Sequence, residues 1–497
     1  MTRLIVTHQP SAPQGSTLAR GVYVDQLDAV PQTARDLQRL VGFNAGTGEV
    51  HTTTEGDAVV ILVGLGERGR LDLGGLRRSV AAAVRAATRT EVLATTLLAD
   101  VSAGTDGAAG LDPAAAAAAI TAAALSVRYR FDAHRSTPSA DGPRELVMIG
   151  PTDPEVSAAI GRADTLSRGV EMARDLVNEP GGSLTPTEFA RRCATLAGPC
   201  LEVVVHDLDA IRTLGMGGLL GVNSGSDEPA AFVELHYTPA ATSDRPRLAL
   251  VGKGITYDTG GIMLKQKASS LLAMKNDMGG AAAIVGAMSV FADLEVPTPV
   301  SAYLPMTDNM GGGGAYRPGD VLRMYNGTTV EVLDTDAEGR IVLGDALAYA
   351  RAHSGAAAAV SVATLTGTAI HATGVEIAAL IGRDQSVIDG LLAASRRCSD
   401  RLWQLPRVPE YKGLLKSPIA DMNNRSEAPA ATAFAALFLE PFVGDLPWAH
   451  IDMAAVATRD RDTPDGPAGG RGWGVELLVG YASSFGADSA PSTSIGG

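Results

Sequence analysis

Only three cysteines, Cys193, Cys200 and Cys398, stand in a chain of 497 residues. They cannot build a disulfide framework in a chain this long, and a reducing cytoplasm is the simplest setting for it. Long apolar runs are missing too. The opening MTRLIVTHQPSAPQG lacks the continuous apolar stretch of a signal peptide. The alanine-rich stretch around 114–119 is interrupted by Asp112, Thr121 and Arg128, so no membrane-spanning helix is expected. Positive charge is in deficit: 41 Lys and Arg against 55 Asp and Glu leave a net charge of −14. That balance weighs against a general nucleic-acid-binding surface.

Within the positive charge, lysine is scarce. Six of the 41 basic residues are lysines, and four of the six (Lys253, Lys265, Lys267 and Lys275) fall within 253–275, the others being Lys412 and Lys416. Arginine cannot lose its proton, whereas lysine does when burial or a metal lowers its pKa. A neutral amine ligand or a compact ammonium is a task that arginine cannot take over; a flexible basic loop is the plainer alternative. Familiar catalytic signatures are absent as well. There is no H-E-x-x-H, the eight histidines are scattered, and no G-x-S-x-G appears.

What is present reads as globular. Hydrophobic residues make up 45% and charged residues 19%, in a length that suggests roughly two to four domains. The first part alternates short strands and helices. Its GLGERG at 64–69 follows the apolar run 58–63 and precedes a helical pattern, formally a dinucleotide fingerprint. The acid required at the end of the next strand is missing, because Glu91 precedes the run 92–98, so an ordinary strand–turn–helix connection is the preferred reading. Residues 155–178 carry apolar positions at three-and-four spacing, which predicts a long helix ended by NEPGG. Beyond it, strands are expected at 201–205, 231–236, 248–252, 300–305, 330–333, 357–363 and 377–381, with helices at 279–293, 341–353 and 385–399. The fold class that follows is α/β: a smaller N-terminal α/β domain, a long connecting helix, and a larger α/β domain with a mixed, largely parallel sheet. The boundaries are placed at 1–154, 155–181, 182–485 and a disordered tail at 486–497.

Acids and a lysine recur at the junctions of the second domain, in VGKGITYDTGG (251–261), MKNDMGG (274–280) and VEVLDTDAEGR (330–340). Singly, each acid has an ordinary explanation: Asp277 as a helix N-terminal acid, Asp258 as a turn residue, Asp336 and Glu338 as loop solvators. Brought together they would repel one another, and clusters of this kind usually hold divalent metals. A carboxylate-rich, two-metal site is the reading that follows.

These segments resemble the leucyl (cytosol) aminopeptidase family of two-metal exopeptidases. The likeness extends to DLVNEP and LTP (175–186), NMGGGGAYRPGD (309–320), TLTG (364–367) and WAHIDMA (448–454). It covers 182–485 as the catalytic domain, and the first 150 residues in general type only. The resemblance implies two divalent ions, Mn²⁺ or Zn²⁺ with Mg²⁺ or Co²⁺ as alternatives, about 3–4 Å apart. Asp258 and Glu338 would bridge them, Lys253 and Asp277 would complete the tighter site, and Asp336 the more exchangeable one. Lys265 would be the charged catalytic lysine, and Arg340 would hold a bicarbonate serving as general base. Met274, Thr364 and Gly367 would line the pocket for an apolar, leucine-like first residue. Peptide substrates, a homohexamer, a cytoplasmic location, and no membrane or nucleic-acid partner complete the expectation.

Several positions depart from the family pattern. Asp334 replaces the usual Asn, an extra carboxylate expected to add negative charge and alter metal preference. The segment from Lys265 to Asp277 is one residue longer than the common form, with Gln266-Lys267 unusual. Asp308 stands where Glu is frequent, and 427–439 and 452–456 depart from the glycine-rich pattern. The competing readings are a DNA-binding or architectural role, and a related metal hydrolase acting on a narrow dipeptide class or a non-peptide.

Overall fold

The structure is a computed structural model that describes residues 3–29, 42–103, 110–137, 142–150, 153–426 and 430–487. The expected tail beyond 487 and the departure at 427–429 lie outside the described residues. The chain divides into two units, one formed by Met1–Arg168 with Asp460–Ala468, the other by Gly169–Arg459 with Gly469–Gly497.

The first unit is built on six strands: β1 (Ile5–Gln9), β2 (Thr17–Tyr23), β3 (Val50–Glu55), β4 (Ala58–Gly66), β5 (Val92–Thr95) and β6 (Glu145–Ile149), in the order β1-β6-β5-β2-β4-β3. All neighbours are parallel except β3 and β4, which form a hairpin. The GLGERG segment is a connection here. A Cβ on Gly64 would lie 2.1 Å from the Gly46 carbonyl oxygen, so close backbone approach requires that glycine. The helix Leu73–Ala86 starts only later, where Asp72 accepts the Gly75 N–H at 2.7 Å. Residues 460–468 were not anticipated in this unit. They form a turn whose carbonyls accept from Arg85, through Thr463, and from Ser126 Oγ, through Asp465 at 2.7 Å.

The helix Pro154–Asn178 forms as its spacing predicts, and the division between the units falls inside it, after Arg168. In the second unit its Gly169 meets Gly286 of the helix Gly279–Met288. A Cβ on either would stand 2.4 or 2.5 Å from the other's carbonyl oxygen, so neither position accepts a side chain without displacing backbone.

The second unit's main sheet contains β7 (Leu201–His206), β8 (Ala231–Tyr237), β9 (Leu248–Gly252), β10 (Gly254–Asp258) and β11 (Val300–Asn309). After β12 (Val321–Arg323) and β13 (Thr329–Glu331) come β14 (Ala358–Ala363), β15 (Ala378–Gly382), β16 (Leu402–Gln404), β17 (Met422–Asn423) and β18 (Trp448–Asp452). The order is β16-β15-β18-β14-β9-β11-β8-β7, with β10 on β11. The central strands β18, β14, β9 and β11 are parallel; antiparallel pairs occur toward the edges. β13, expected in this series, instead pairs with β12 and β17 in a separate three-stranded sheet. Its register, Glu331 opposite Asn423, brings residues 424 and 425 beside the loop that follows β13.

Register also fixes where chemistry can be placed. Gly252 lies opposite Val362 and Ala363 opposite Asp452, so β9, β14 and β18 end level with one another, and Asp258 pairs with Asn309 at the end of β11. Side chains just past these ends converge at the C-terminal edge of a parallel sheet. The helix Gly279–Met288 starts against that edge, because Gly280 leaves room for the Val362 carbonyl, 2.0 Å from where its Cβ would stand.

One buried acid away from this edge carries a testable consequence. Asp345, in the helix Gly339–His353, has no exposed surface and accepts backbone N–H groups of Leu219 and Tyr325, each at 2.8 Å. Burial outweighs these bonds and pushes its pKa up to about 7. A carboxyl whose folded pKa is raised supports stability below its unfolded pKa and loses that support as pH rises through the folded one. Asp345→Asn should therefore flatten the fall in unfolding free energy between pH 5 and 8 by about 2 kcal/mol. Denaturant titrations of both proteins across that range measure it; parallel profiles would show that Asp345 does not titrate in the folded chain.

Candidate active site

Lys253 follows β9 directly and is 2% exposed. Its backbone is fixed on both sides, its N–H donating to Val362 O at 3.1 Å and its carbonyl accepting from Ala281 N at 2.9 Å. The ammonium donates to Asp277 Oδ1 and Glu338 Oε1, both at 2.8 Å, and to Thr364 O at 3.0 Å. Burial pulls its pKa down, but the charges of Asp277, Glu338 and Asp258 outweigh burial and hold it above the ordinary lysine value. Gly339 is needed for this placement, since a Cβ there would stand 2.6 Å from Lys253 Nζ.

Asp258 ends β10. One of its oxygens accepts the Gly260 N–H at 2.9 Å and Asn309 Nδ2 at 2.8 Å; the other meets Lys265 Nζ at 2.7 Å. Gly260 and Gly261 turn the chain away with φ of +90° and +65°, a region that favours glycine. Lys265 also pairs with Asp336. Burial again works against the charge of Lys265, and Asp258 and Asp336 override it, leaving the ammonium above its ordinary value.

The carboxylates respond differently. Burial, with repulsion from Glu338 and Asp258, raises Asp277 well above the usual range, Lys253 notwithstanding. Burial and the charges of Asp258 and Glu338 push Asp336 up to about 7. Burial alone would raise Glu338, but Lys253 and Lys265 together with its hydrogen bonds hold it below its ordinary value. Four carboxylates thus face two ammoniums, and the centre is short of positive charge. Asp258, Asp336 and Glu338 offer oxygens that all lie within 4.8 Å of one another. Asp277 Oδ2 and Glu338 Oε2 are buried without a hydrogen-bond partner. Unpartnered buried oxygens around a surplus of negative charge suit divalent cations, so the donor set fits the metals expected from sequence.

Arg340 opens the helix Gly339–His353 and is buried, its guanidinium 5.5 Å from the Phe434 ring centroid. One nitrogen donates to Asn424 O at 2.8 Å, while Nε is buried and unpartnered, a donor free for an anion. Burial lowers its pKa to about 10, which leaves it cationic. Thr364 Oγ1 donates to Asp277 Oδ1 at 2.8 Å. Gly367 is exposed with nothing within 4 Å of its Cβ position, and Met274 is half-buried at the start of the turn Met274–Asn276.

Several residues here were not assigned from sequence. Asn309 and Tyr316 both donate to Thr335 O at 2.9 Å, and both lie in the quoted NMGGGGAYRPGD without having been given a role. Asp452, fully buried at the end of β18, accepts Thr366 Oγ1 at 2.6 Å and Leu365 N at 3.1 Å, bracing the turn that carries Thr364. Asn424 had no local signal at all. The extra carboxylate of Asp334 does not stand uncompensated: it pairs with Arg425 and accepts the Asp336 N–H at 2.8 Å.

Two family models match the chain: the catalytic domain of the cytosol aminopeptidase family over residues 171–479, and the N-terminal domain of the same family over 14–138. A probable cytosol aminopeptidase of Syntrophotalea carbinolica is 40% identical over 429 residues, 85% of each chain. One from Synechococcus is 38% identical over 498 residues, covering 97% of this chain and 99% of the relative. Among solved structures, the bottromycin maturation enzyme BotP in complex with Mn superposes with a TM-score of 0.85 at 37% identity, covering 94% of this chain and 99% of BotP. A tomato leucine aminopeptidase mutant superposes at 0.83 with 27% identity, covering 97% and 96%.

The fit of Gly339 against Lys253 makes a sharp expectation. Gly339→Ala displaces the tip of a flexible side chain rather than backbone, so the fold should survive. The amine, however, leaves its position, and apparent Mn²⁺ affinity should fall about 100-fold. Calorimetric titration and a melting curve of the variant check both; unchanged affinity would show that the Lys253 amine takes no part in holding metal.

Proposed function

The chain belongs to the cytosol aminopeptidase family, and from that premise we propose that it releases N-terminal apolar residues from peptides at a centre holding two divalent cations. Membership makes it a metal-dependent peptidase; the two-cation chemistry, the ligand set and the apolar preference are our reading. The observation that carries it is the surplus of negative charge, with oxygens of Asp258, Asp336 and Glu338 within 4.8 Å of one another.

Lys253, Asp258, Asp277, Asp336 and Glu338 would hold the two ions between them. Bound there, such ions lower the pKa of water and polarise a carbonyl. A donor set of carboxylates with one amine suits Mn²⁺ or Zn²⁺, with Mg²⁺ or Co²⁺ as alternatives. Lys253 has to give up its proton to act as a ligand, so metal uptake is coupled to proton release.

The chain's own groups supply the remaining steps. The Lys265 ammonium, kept charged by Asp258 and Asp336, donates to the carbonyl oxygen as the carbon becomes tetrahedral. Arg340, with its free Nε, would hold an anion such as bicarbonate, which would supply a general base beside the attacking water. Anchoring the free α-amine of the substrate at the centre confines cleavage to the first residue. Met274, Thr364 and Gly367 border the first-residue pocket in this reading, and the open face of Gly367 leaves space for an apolar side chain. A homohexamer working in the cytoplasm is the assembly proposed; no helix among the described residues is long and apolar enough to cross a membrane. A narrower peptide substrate is a second reading, favoured by the 37% identity to an enzyme described as acting in bottromycin maturation.

The decisive experiment is hydrolysis of a panel of aminoacyl-amides and peptides by metal-free protein supplemented with each cation. Chelation should abolish release, Mn²⁺ or Zn²⁺ should restore it, and leucine-like first residues should be preferred. Full activity in exhaustively chelated protein would overturn the two-cation reading, and turnover confined to one peptide sequence would favour the narrower one.

Two lysine variants separate the roles assigned to Lys253 and Lys265. Lys253→Arg introduces a guanidinium that has no lone pair to give. It should fold, yet lose the tighter ion and nearly all turnover. Lys265→Arg keeps the cation and should be milder, with both ions retained. Elemental analysis of bound metal alongside turnover distinguishes them; two ions and normal turnover in Lys253→Arg would remove Lys253 from the ligand set.

A further inference from the structure

Asp334 would be a costly acid to bury if it stood alone. It is 3% exposed and lies two residues from Asp336 and four from Glu338. A buried carboxylate without a partner is costly. Its two oxygens are nevertheless both engaged. One meets the guanidinium of Arg425, the other accepts the N–H of Asp336 at 2.8 Å. The preceding residue, Asn424, grips the same loop from the side. Its Oδ1 accepts from Leu333 N at 2.8 Å and Asp334 N at 3.2 Å, and its Nδ2 donates to Asp334 O at 2.6 Å. Its own carbonyl accepts from Arg340 at 2.8 Å.

Further along, Thr432 at the start of the helix Ala431–Val443 shares hydrogen bonds with Thr366 at 2.7 Å and Thr368 at 2.9 Å. The 422–432 stretch therefore touches the acid-bearing loop with its first residues and the Thr364–Gly367 turn with its last.

We propose that Asp334 and Arg425 act as one charge-compensated clamp on the 333–340 loop, with Arg425 cancelling the charge that Asp334 would otherwise add beside the metal centre. The inference rests on the reading of that centre as a cation site. The two partners are unequal: the Arg425 side chain is 52% exposed and the Asp334 side chain 4%. Without Arg425 the carboxylate stays buried beside the centre, and its charge draws cations in. Without Asp334 the guanidinium turns to water, and little is left behind. With both replaced by neutral amides, the local charge returns to that of the intact pair.

The test is calorimetric titration of Mn²⁺ into the metal-free chain, with melting curves of the same samples. The proteins are wild type, Asp334→Asn, Arg425→Gln, Arg425→Lys and the double variant Asp334→Asn/Arg425→Gln. Arg425→Gln should bind Mn²⁺ about three to ten times more tightly, as expected for an unscreened nearby charge, and melt lower without metal. Arg425→Lys should restore wild-type affinity to within about twofold, Asp334→Asn should weaken binding by no more than about threefold, and the double variant should return to within about twofold of wild type.

A double variant that binds Mn²⁺ as tightly as Arg425→Gln would overturn the clamp. So would a lower melting point in Arg425→Gln with unchanged Mn²⁺ affinity, which is the mark of a merely structural contact. If Arg425→Gln does not fold, Arg425→Lys and the double variant still decide: wild-type affinity in both supports the clamp, and a loss in the double variant overturns it. A wild-type chain that takes up no Mn²⁺ would overturn the metal-centre reading and this inference with it, whereas uptake without coupling overturns the inference alone.

Discussion

Four carboxylates forced together at one edge of a sheet are the constraint around which the second unit is arranged. Their mutual repulsion opposes folding, and it is contained by groups that the backbone delivers. Lys253 arrives because β9 ends level with β14, and Lys265 because the Gly260–Gly261 turn folds the chain back beside Asp258. Neither ammonium lies on a mobile surface arm. Each is held in place by acids that repel one another and share it, so removing either cation acts on several carboxylates at once.

Around this charged kernel runs a frame of uncharged donors. Asn309 bonds Asp258 on one side and the carbonyl of Thr335 on the other; Tyr316 reaches the same carbonyl, and Thr335 Oγ1 returns a bond to Gly260 O at 2.6 Å. In the proposed centre the charged groups would select a cation, and the neutral ones hold the charged side chains in place. The division is economical in a physical sense, because amides and hydroxyls fix geometry without adding to a field that is already unbalanced. Hydrogen-bonded neighbours of metal ligands play this part in metal sites generally.

The sequence made some of this legible and hid the rest. The helix 154–178, the βα alternation of the second unit and the acids of VGKGITYDTGG and VEVLDTDAEGR were readable because their signals are local: spacing, apolar runs, and acids beside glycines. The clustering of lysines drew attention to Lys253 and Lys265, and both stand among carboxylates, Lys253 buried and Lys265 partly so. What escaped was set by pairing between distant segments. Asn424 lies 90 residues from the Asp334 carbonyl it bonds, and no periodicity announces such a contact. Asp334 was expected to burden the centre with charge, because nothing near it in the chain suggested Arg425. The strand expected at 330–333 was of the right type, but its partners, β12 and β17, lie outside the main sheet, and a short apolar run does not say which sheet will take it.

The excursion of residues 460–468 bears on how the molecule is made. The first unit takes its last piece from a turn nearly 300 residues beyond its own main body. During synthesis from the N-terminus, the carbonyls that receive Arg85 and Ser126 do not yet exist when the rest of that unit leaves the ribosome. Its six-stranded sheet can form early, but the unit stays unfinished until almost all of the second unit has followed. A fragment ending before Asp460 would therefore lack part of both units, however cleanly it were cut at a linker.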